Sequence, residues 1–215
     1  EEAIPLALKG SDILGSAQTG TGKTAAFAIP IIEGLQKDHN SLAVVLAPTR
    51  ELAKQIYEVV RELLGYRNET KIVSLIGGES ITNQLSNLKR GPRIIIGTPG
   101  RINDHINRKS LNLKKTKILV LDETDRMLDM GFGIQIADIV KHIPDQRQTL
   151  MFSATIPSEI SKLAEKYLIN PKRISIGIKN QVPKNLKQEV LKINSNQKYD
   201  QLVKELKDRT GSILV

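Results

Sequence analysis

The chain has 215 residues, a net charge of +9, 40% hydrophobic residues, only 3% aromatic residues and no cysteine. This composition belongs to a soluble globular protein of one domain, or one domain and part of another. It excludes a disulfide scaffold, a thiol nucleophile, a thiolate metal site and, for want of a long apolar run, a membrane-spanning helix.

In chain order, seven short apolar runs read as strands: Asp12–Gly15, Leu42–Ala47, Lys71–Ile76, Arg93–Gly97, Lys117–Leu121, Thr149–Phe152 and Arg173–Ile176. They are nearly continuous in apolar character, as strands covered on both faces must be. Helical stretches separate them. In one, Leu52, Ile56, Val59, Val60 and Leu63 form an apolar stripe opposite Gln55, Glu58, Arg61 and Glu62. Repeated strand–helix–strand units predict an α/β fold, a doubly wound, mostly parallel sheet flanked by helices.

A boundary is expected near Gly177–Lys184. The charge is +5 before it and +4 in the much shorter stretch after it. The tail reads as extended over Leu186–Ile193, helical over Gln197–Lys207 and strand over Ser212–Val215. The chain opens at Glu1 and stops within that last strand, so both ends are expected to lie inside a longer protein. The expected division is a first domain over 1–176, a linker over 177–184 and the start of a second domain over 185–215.

The excess of Lys and Arg points to a polyanion partner or to a merely basic surface. Few aromatics argue for gripping a nucleic-acid backbone rather than stacking on bases. Phe27, Phe132 and Phe152 all read as core. The three histidines, His39, His105 and His142, are too far apart for a zinc site or a histidine-based triad. His105 and His142 read as surface residues.

The strongest chemical signal is Ala17-Gln18-Thr19-Gly20-Thr21-Gly22-Lys23-Thr24, set between a strand and a helix. This is the context of a phosphate-binding loop. Its backbone N–H groups and the helix N-terminus attract phosphate oxygens. Lys23 is expected to reach the terminal phosphates and the Thr24 hydroxyl to ligate Mg²⁺. A second signal is the apolar run Ile118–Leu121 delivering Asp122 and Glu123 at a strand's carboxyl end. Asp122 is expected to hold Mg²⁺ and Glu123 to orient or deprotonate the attacking water. ATP and Mg²⁺ are the implied cofactors.

The run Leu121-Asp122-Glu123-Thr124-Asp125-Arg126-Met127-Leu128-Asp129-Met130-Gly131-Phe132 resembles the name-giving motif of the DEAD-box RNA helicases of superfamily 2. Pro48-Thr49-Arg50-Glu51-Leu52-Ala53, Gly77-Gly78, Thr98-Pro99-Gly100-Arg101 and Ser153-Ala154-Thr155 are similar to further motifs of that family, in the same order. Ala17 in place of Gly is the family's own form of the phosphate loop. The resemblance implies the first of two RecA-like domains that close together on ATP and RNA. Arg50, Glu51, Gly78, Thr98, Pro99 and Arg101 would then lie at the RNA backbone, with little base specificity. Asp125 would pair with the Ser153 and Thr155 hydroxyls and couple hydrolysis to the domain interface. The implied partners are RNA and the protein's own second RecA-like domain, with no membrane and a cytoplasmic setting.

Two departures stand out. Position 124 is Thr where the family usually has Ala, which leaves both acids in place. The family's adenine-reading glutamine would fall before Glu1. The chain alone is expected to show negligible RNA-stimulated hydrolysis and no unwinding, because arginine fingers come from the second domain. Two other readings remain: a hydrolytically silent nucleotide- or RNA-binding clamp, and a DNA-directed superfamily 2 enzyme.

Overall fold

The computed structural model describes residues 2–17, 22–65, 69–176 and 189–213. The chain divides into two compact units, residues 1–177 and 178–215. In the first unit, seven strands form one sheet: β1 (Ile13–Ala17), β2 (Leu42–Leu46), β3 (Ile72–Leu75), β4 (Ile94–Gly97), β5 (Thr116–Leu121), β6 (Gln148–Ser153) and β7 (Lys172–Ile176). Their order across the sheet is β3-β4-β2-β5-β6-β1-β7, and every neighbouring pair is parallel. All seven sequence-predicted strands are present, within two residues at each end.

The apolar runs are continuous because successive residues enter different cores. Ala43 and Val45 of β2 point into one layer and Val44 and Leu46 into the other. The first layer is closed by α1 (Ala3–Leu8), α2 (Lys23–Lys37) and α3 (Arg50–Leu64), through residues such as Ala7, Phe27, Ile31, Ile56 and Val60. The second is closed largely by α5 (Pro99–Asn107), α6 (Thr124–Asp129), α7 (Gly133–Val140) and α8 (Ser158–Tyr167), through Ile102, Met127, Ile136, Ile139 and Ile160. A shorter helix, α4 (Ile81–Lys89), follows β3. Each fully buried Ile, Leu or Phe contributes about 1.5–3 kcal/mol.

Local sequence explains the helix starts. The Thr49 hydroxyl accepts the N–H of Leu52 at 3.2 Å and caps α3. Ser80 caps α4 through the N–H of Asn83. The stripe of α3 needs correction, however. Ala53, Ile56 and Val60 are buried, while Leu63 is 44% exposed. Leu63 lies in the last turn, at the edge of the layer that α3 covers.

Two strands are held by features with no local signature. Asp12, 6% exposed, accepts the N–H of Thr149 at 2.8 Å and of Ile169 at 2.7 Å, tying the foot of β1 to β6 and to the segment leading into β7. Gly97 closes β4 where a Cβ would collide with the Leu75 carbonyl oxygen of β3.

In the second unit, a 3₁₀ turn at Ser195–Gln197 leads into α9 (Lys198–Asp208). Arg209 follows, bonded to Glu205 at 2.7 Å and Glu189 at 3.1 Å. The predicted helix is there, one residue later than expected. Residues 189–194 carry no regular element. The predicted strand at Ser212–Val215 is absent over 212–213, and its last two residues lie outside the described ones. A strand's hydrogen bonds come from a neighbouring strand, and none is paired with this segment among the described residues.

Candidate nucleotide and nucleic-acid sites

In a parallel sheet every strand delivers its next loop to the same edge, the edge where ligands bind in open α/β folds. Here that edge carries the segments after β1, β2, β3, β4, β5 and β6. The strand order sorts them into two groups. The β5-β6-β1 ends lie side by side and hold Asp122, Glu123, Ser153 and Lys23. The β3-β4-β2 ends lie side by side and hold Gly78, Thr98, Arg101 and Arg50.

In the first group, Gln18, Thr19, Gly20 and Thr21 lie outside the described residues. Ala17 closes β1. Gly22 caps α2 with φ 81°, a left-handed conformation that suits Gly. Lys23 and Thr24 open α2, at the positive end of its dipole. Lys23 Nζ is buried and has no hydrogen-bond partner among the described residues. Asp122 is 2% exposed and accepts the N–H of Glu123 at 2.9 Å. Burial pushes its carboxyl up to about 6, against the opposing pull of the Lys23 charge.

Glu123 has φ 47° and ψ 52°, and its Oε2 lies 3.3 Å from Arg126 Nη1. A left-handed conformation costs a non-glycine residue about 1–2 kcal/mol. Strain of this kind collects at functional positions. Thr124 is fully buried, and its hydroxyl lies 3.2 Å from the Leu121 carbonyl and 3.0 Å from that of Phe152. It bridges β5 and β6 directly behind the two acids.

Asp125 Oδ2 accepts both the N–H of Thr155, at 2.9 Å, and its hydroxyl, at 3.0 Å. The Ser153 hydroxyl also accepts the backbone N–H of Asp125 at 3.2 Å. Burial pushes the Asp125 carboxyl up, but the hydrogen bonds from Thr155, Arg126 and Ser153 prevail and hold it below its ordinary value. No cluster of three or more His, Asp or Glu side chains among the described residues makes a ready metal cage.

In the second group, Pro48, Thr49, Arg50, Glu51, Thr98 and Arg101 line a cleft of about 690 Å³, with Met130 and Phe132 on its wall. Pro99 is buried at the first turn of α5. Gly78, with φ 80°, sits so close to Arg50 that a Cβ would lie 2.5 Å from its Nη1. The Arg101 side chain is only 17% exposed. It donates from Nε to the Ile76 carbonyl at 3.1 Å, from Nη2 to the Glu79 carbonyl at 2.9 Å and from Nη1 to Asp104 at 3.4 Å.

Two sequence expectations change. Phe132 is partly buried and borders this cleft rather than lying in the core. His105 is fully buried instead of lying at the surface. Its Nε2 lies 3.0 Å from Gln84 Oε1 and its Nδ1 2.9 Å from the Ser110 hydroxyl. His142 is exposed, as expected, and bonds the Asp138 carbonyl. Gln84, Asp104 and His105 are site neighbours that carry no local motif.

Comparison with known proteins gives the family. Residues 1–163 match the DEAD/DEAH box helicase family. The ATP-dependent RNA helicase CshA of Listeria monocytogenes is 45% identical over 203 residues, covering 94% of this chain and 39% of that protein. The DEAD-box ATP-dependent RNA helicase CshA of Bacillus subtilis is 42% identical over 206 residues, covering 95% of this chain and 42% of that protein. The crystal structure of a DEAD box protein from the hyperthermophile Methanococcus jannaschii superposes with a TM-score of 0.78 at 41% identity, over 96% of this chain and 55% of that one. The chain spans less than half the length of these curated relatives. A parallel sheet with these motifs at one edge, and the family match over residues 1–163, show that the chain belongs to the DEAD/DEAH box helicase family.

Proposed function

We propose that this chain is the ATP-binding portion of an ATP-dependent RNA helicase, with ATP at the β5-β6-β1 end and the RNA backbone at the β3-β4-β2 end. The observation that carries the ATP reading is the buried Lys23 ammonium, without a hydrogen-bond partner among the described residues and close enough to the buried Asp122 carboxyl for its charge to oppose the upward push of burial there. A buried cation of this kind is costly unless an anion meets it. Terminal phosphates at the start of α2 fit that requirement. One carboxylate and one hydroxyl, Asp122 and Thr24, also fit Mg²⁺, which takes few protein ligands alongside phosphates and water. When bound, the ion neutralises charge on the phosphate oxygens.

Lys23 holds the terminal phosphates. Glu123 orients the attacking water and accepts its proton. The water oxygen bonds the γ-phosphorus as the bridge to the β-phosphate breaks, leaving ADP and phosphate. Asp125, held by Thr155 and Ser153, links the helix after the acids to the end of β6. On the RNA side, Arg50, Gly78, Thr98 and Arg101 contact sugar and phosphate, with Glu51 and Pro99 shaping the cleft. A second RecA-like domain completes the RNA-stimulated cycle, so the chain alone turns over weakly. A cytoplasmic setting follows from this reading. Among the described residues no helix is long and apolar enough to cross a membrane.

Calorimetry of ATP and ADP binding with Mg²⁺, on this chain and on Lys23→Ala, tests the assignment. Binding that the variant loses is expected. Equal affinity in both proteins overturns it.

A further inference from the structure

We propose that His105 and Gln84 form a buried positioning pair that sets the turn at residues 76–79, and through it the grip on RNA. The proposal rests on the RNA reading of the β3-β4-β2 edge. That turn carries Gly77 and Gly78 and packs against Arg50.

The amide of Gln84 is 2% exposed, and both its ends are committed. Nε2 donates to the Ile76 carbonyl at 2.9 Å and lies 3.4 Å from Glu79 Oε2. Ile76 offers only an acceptor there, so the amide nitrogen must face it and Oε1 must face His105. His105 Nε2, 3.0 Å away, therefore carries a hydrogen. Nδ1 is then left without a hydrogen, facing the Ser110 hydroxyl at 2.9 Å, which also has the His105 carbonyl within reach as an acceptor at 3.0 Å.

His105 and Arg101 lie four residues apart on one face of α5. Arg101 reaches the turn directly, through the Ile76 and Glu79 carbonyls. His105 reaches it through Gln84. The Ile76 carbonyl thus takes two donors, one from α4 and one from α5, and the turn has little freedom to re-aim Gly78 or Arg50. Burial, and the Arg101 charge, hold the imidazole below its ordinary range; Asp104 opposes this and Arg108 adds to it. The neutral Nε2–H form, the one that orients Gln84, is the form present at neutral pH.

The test uses this chain with a short single-stranded oligouridylate and, separately, ATP. His105→Leu removes the donor. His105→Gln returns an amide donor near the Nε2 position. RNA affinity should fall about tenfold in His105→Leu and return to within a few-fold in His105→Gln, with ATP affinity unchanged in both. A helix-packing role alone predicts no rescue by Gln, and ATP affinity falling in step with RNA affinity. Arg50→Ala separates the two layers of inference. If it leaves RNA affinity intact, or if the wild-type chain does not bind the RNA, the RNA reading itself fails. If it weakens binding while His105→Leu does not, only the positioning pair fails. Long-range ¹H–¹⁵N spectra of the wild-type chain give a readout that needs no variant to fold. Hydrogen on Nε2 with Nδ1 accepting is expected; hydrogen on Nδ1 overturns the proposal.

Discussion

Replacing Asp12 should cost about as much as truncating a buried leucine or isoleucine of the core. Its carboxylate accepts two backbone N–H groups, Thr149 at 2.8 Å and Ile169 at 2.7 Å, with the side chain almost wholly buried. A hydrogen bond to a charged group is worth about 1.5–3 kcal/mol, and an orphaned buried donor costs about 1–3 kcal/mol. Asp12→Ala loses both bonds at once, so about 3–5 kcal/mol is expected, a large part of a domain's usual 5–15. Asp12→Asn keeps one acceptor oxygen but turns an NH₂ toward the other N–H, so about 2 kcal/mol is expected. For a unit of this size the alanine variant should melt about 10 °C lower. Urea unfolding followed by far-UV circular dichroism measures all three proteins. An alanine variant within 1 kcal/mol of wild type would refute the reasoning, as would an asparagine variant less stable than alanine. The functional stake is that β1 delivers Lys23, so the same variant should bind ATP more weakly under conditions where it remains folded.

Three further outcomes are expected. Thr124→Val keeps the shape but leaves the Leu121 and Phe152 carbonyls without that hydroxyl, and should lose about 1–2 kcal/mol in the same urea assay, while Thr124→Ser stays near wild type. Glu123→Gln should leave ATP affinity unchanged by calorimetry and, in a protein with RNA-stimulated turnover, reduce hydrolysis by about 10²–10⁴-fold; full turnover would remove Glu123 from the reaction. Because the folded state depresses the His105 pKa, the unfolded chain binds the proton first as pH falls. That contribution is fully present above about pH 6.5 and is lost as pH drops toward the folded value. Unfolding from pH 7.5 down to 5.5 should therefore show wild type losing stability relative to His105→Gln; parallel curves would contradict this.

Sequence alone determined the seven strands of the sheet, the order of the motifs and the place of the two acids at a strand's carboxyl end. These depend on short-range physics. Strands buried on both faces must be apolar at every position, as Leu42–Leu46 and Ile118–Leu121 are. A phosphate loop must place Gly and Lys within a few residues of a helix start. Thr49 announces α3 because a cap bonds to its own next turn. Tertiary structure decided what depends on partners far away in the chain. The strand order gathers Arg50, Gly78 and Arg101 at one end of the edge and Lys23, Asp122 and Ser153 at the other, although Lys23 is separated from Asp122 along the sequence by all three motifs of the other group. His105 sits in a polar run and reads as exposed; its burial rests on Gln84, 21 residues away. Thr124 meets Phe152 across 28 residues, and Asp12 meets Thr149 across 137. A hydrogen bond between distant segments leaves no periodicity or spacing in the sequence, because only the packing of the sheet brings donor and acceptor together.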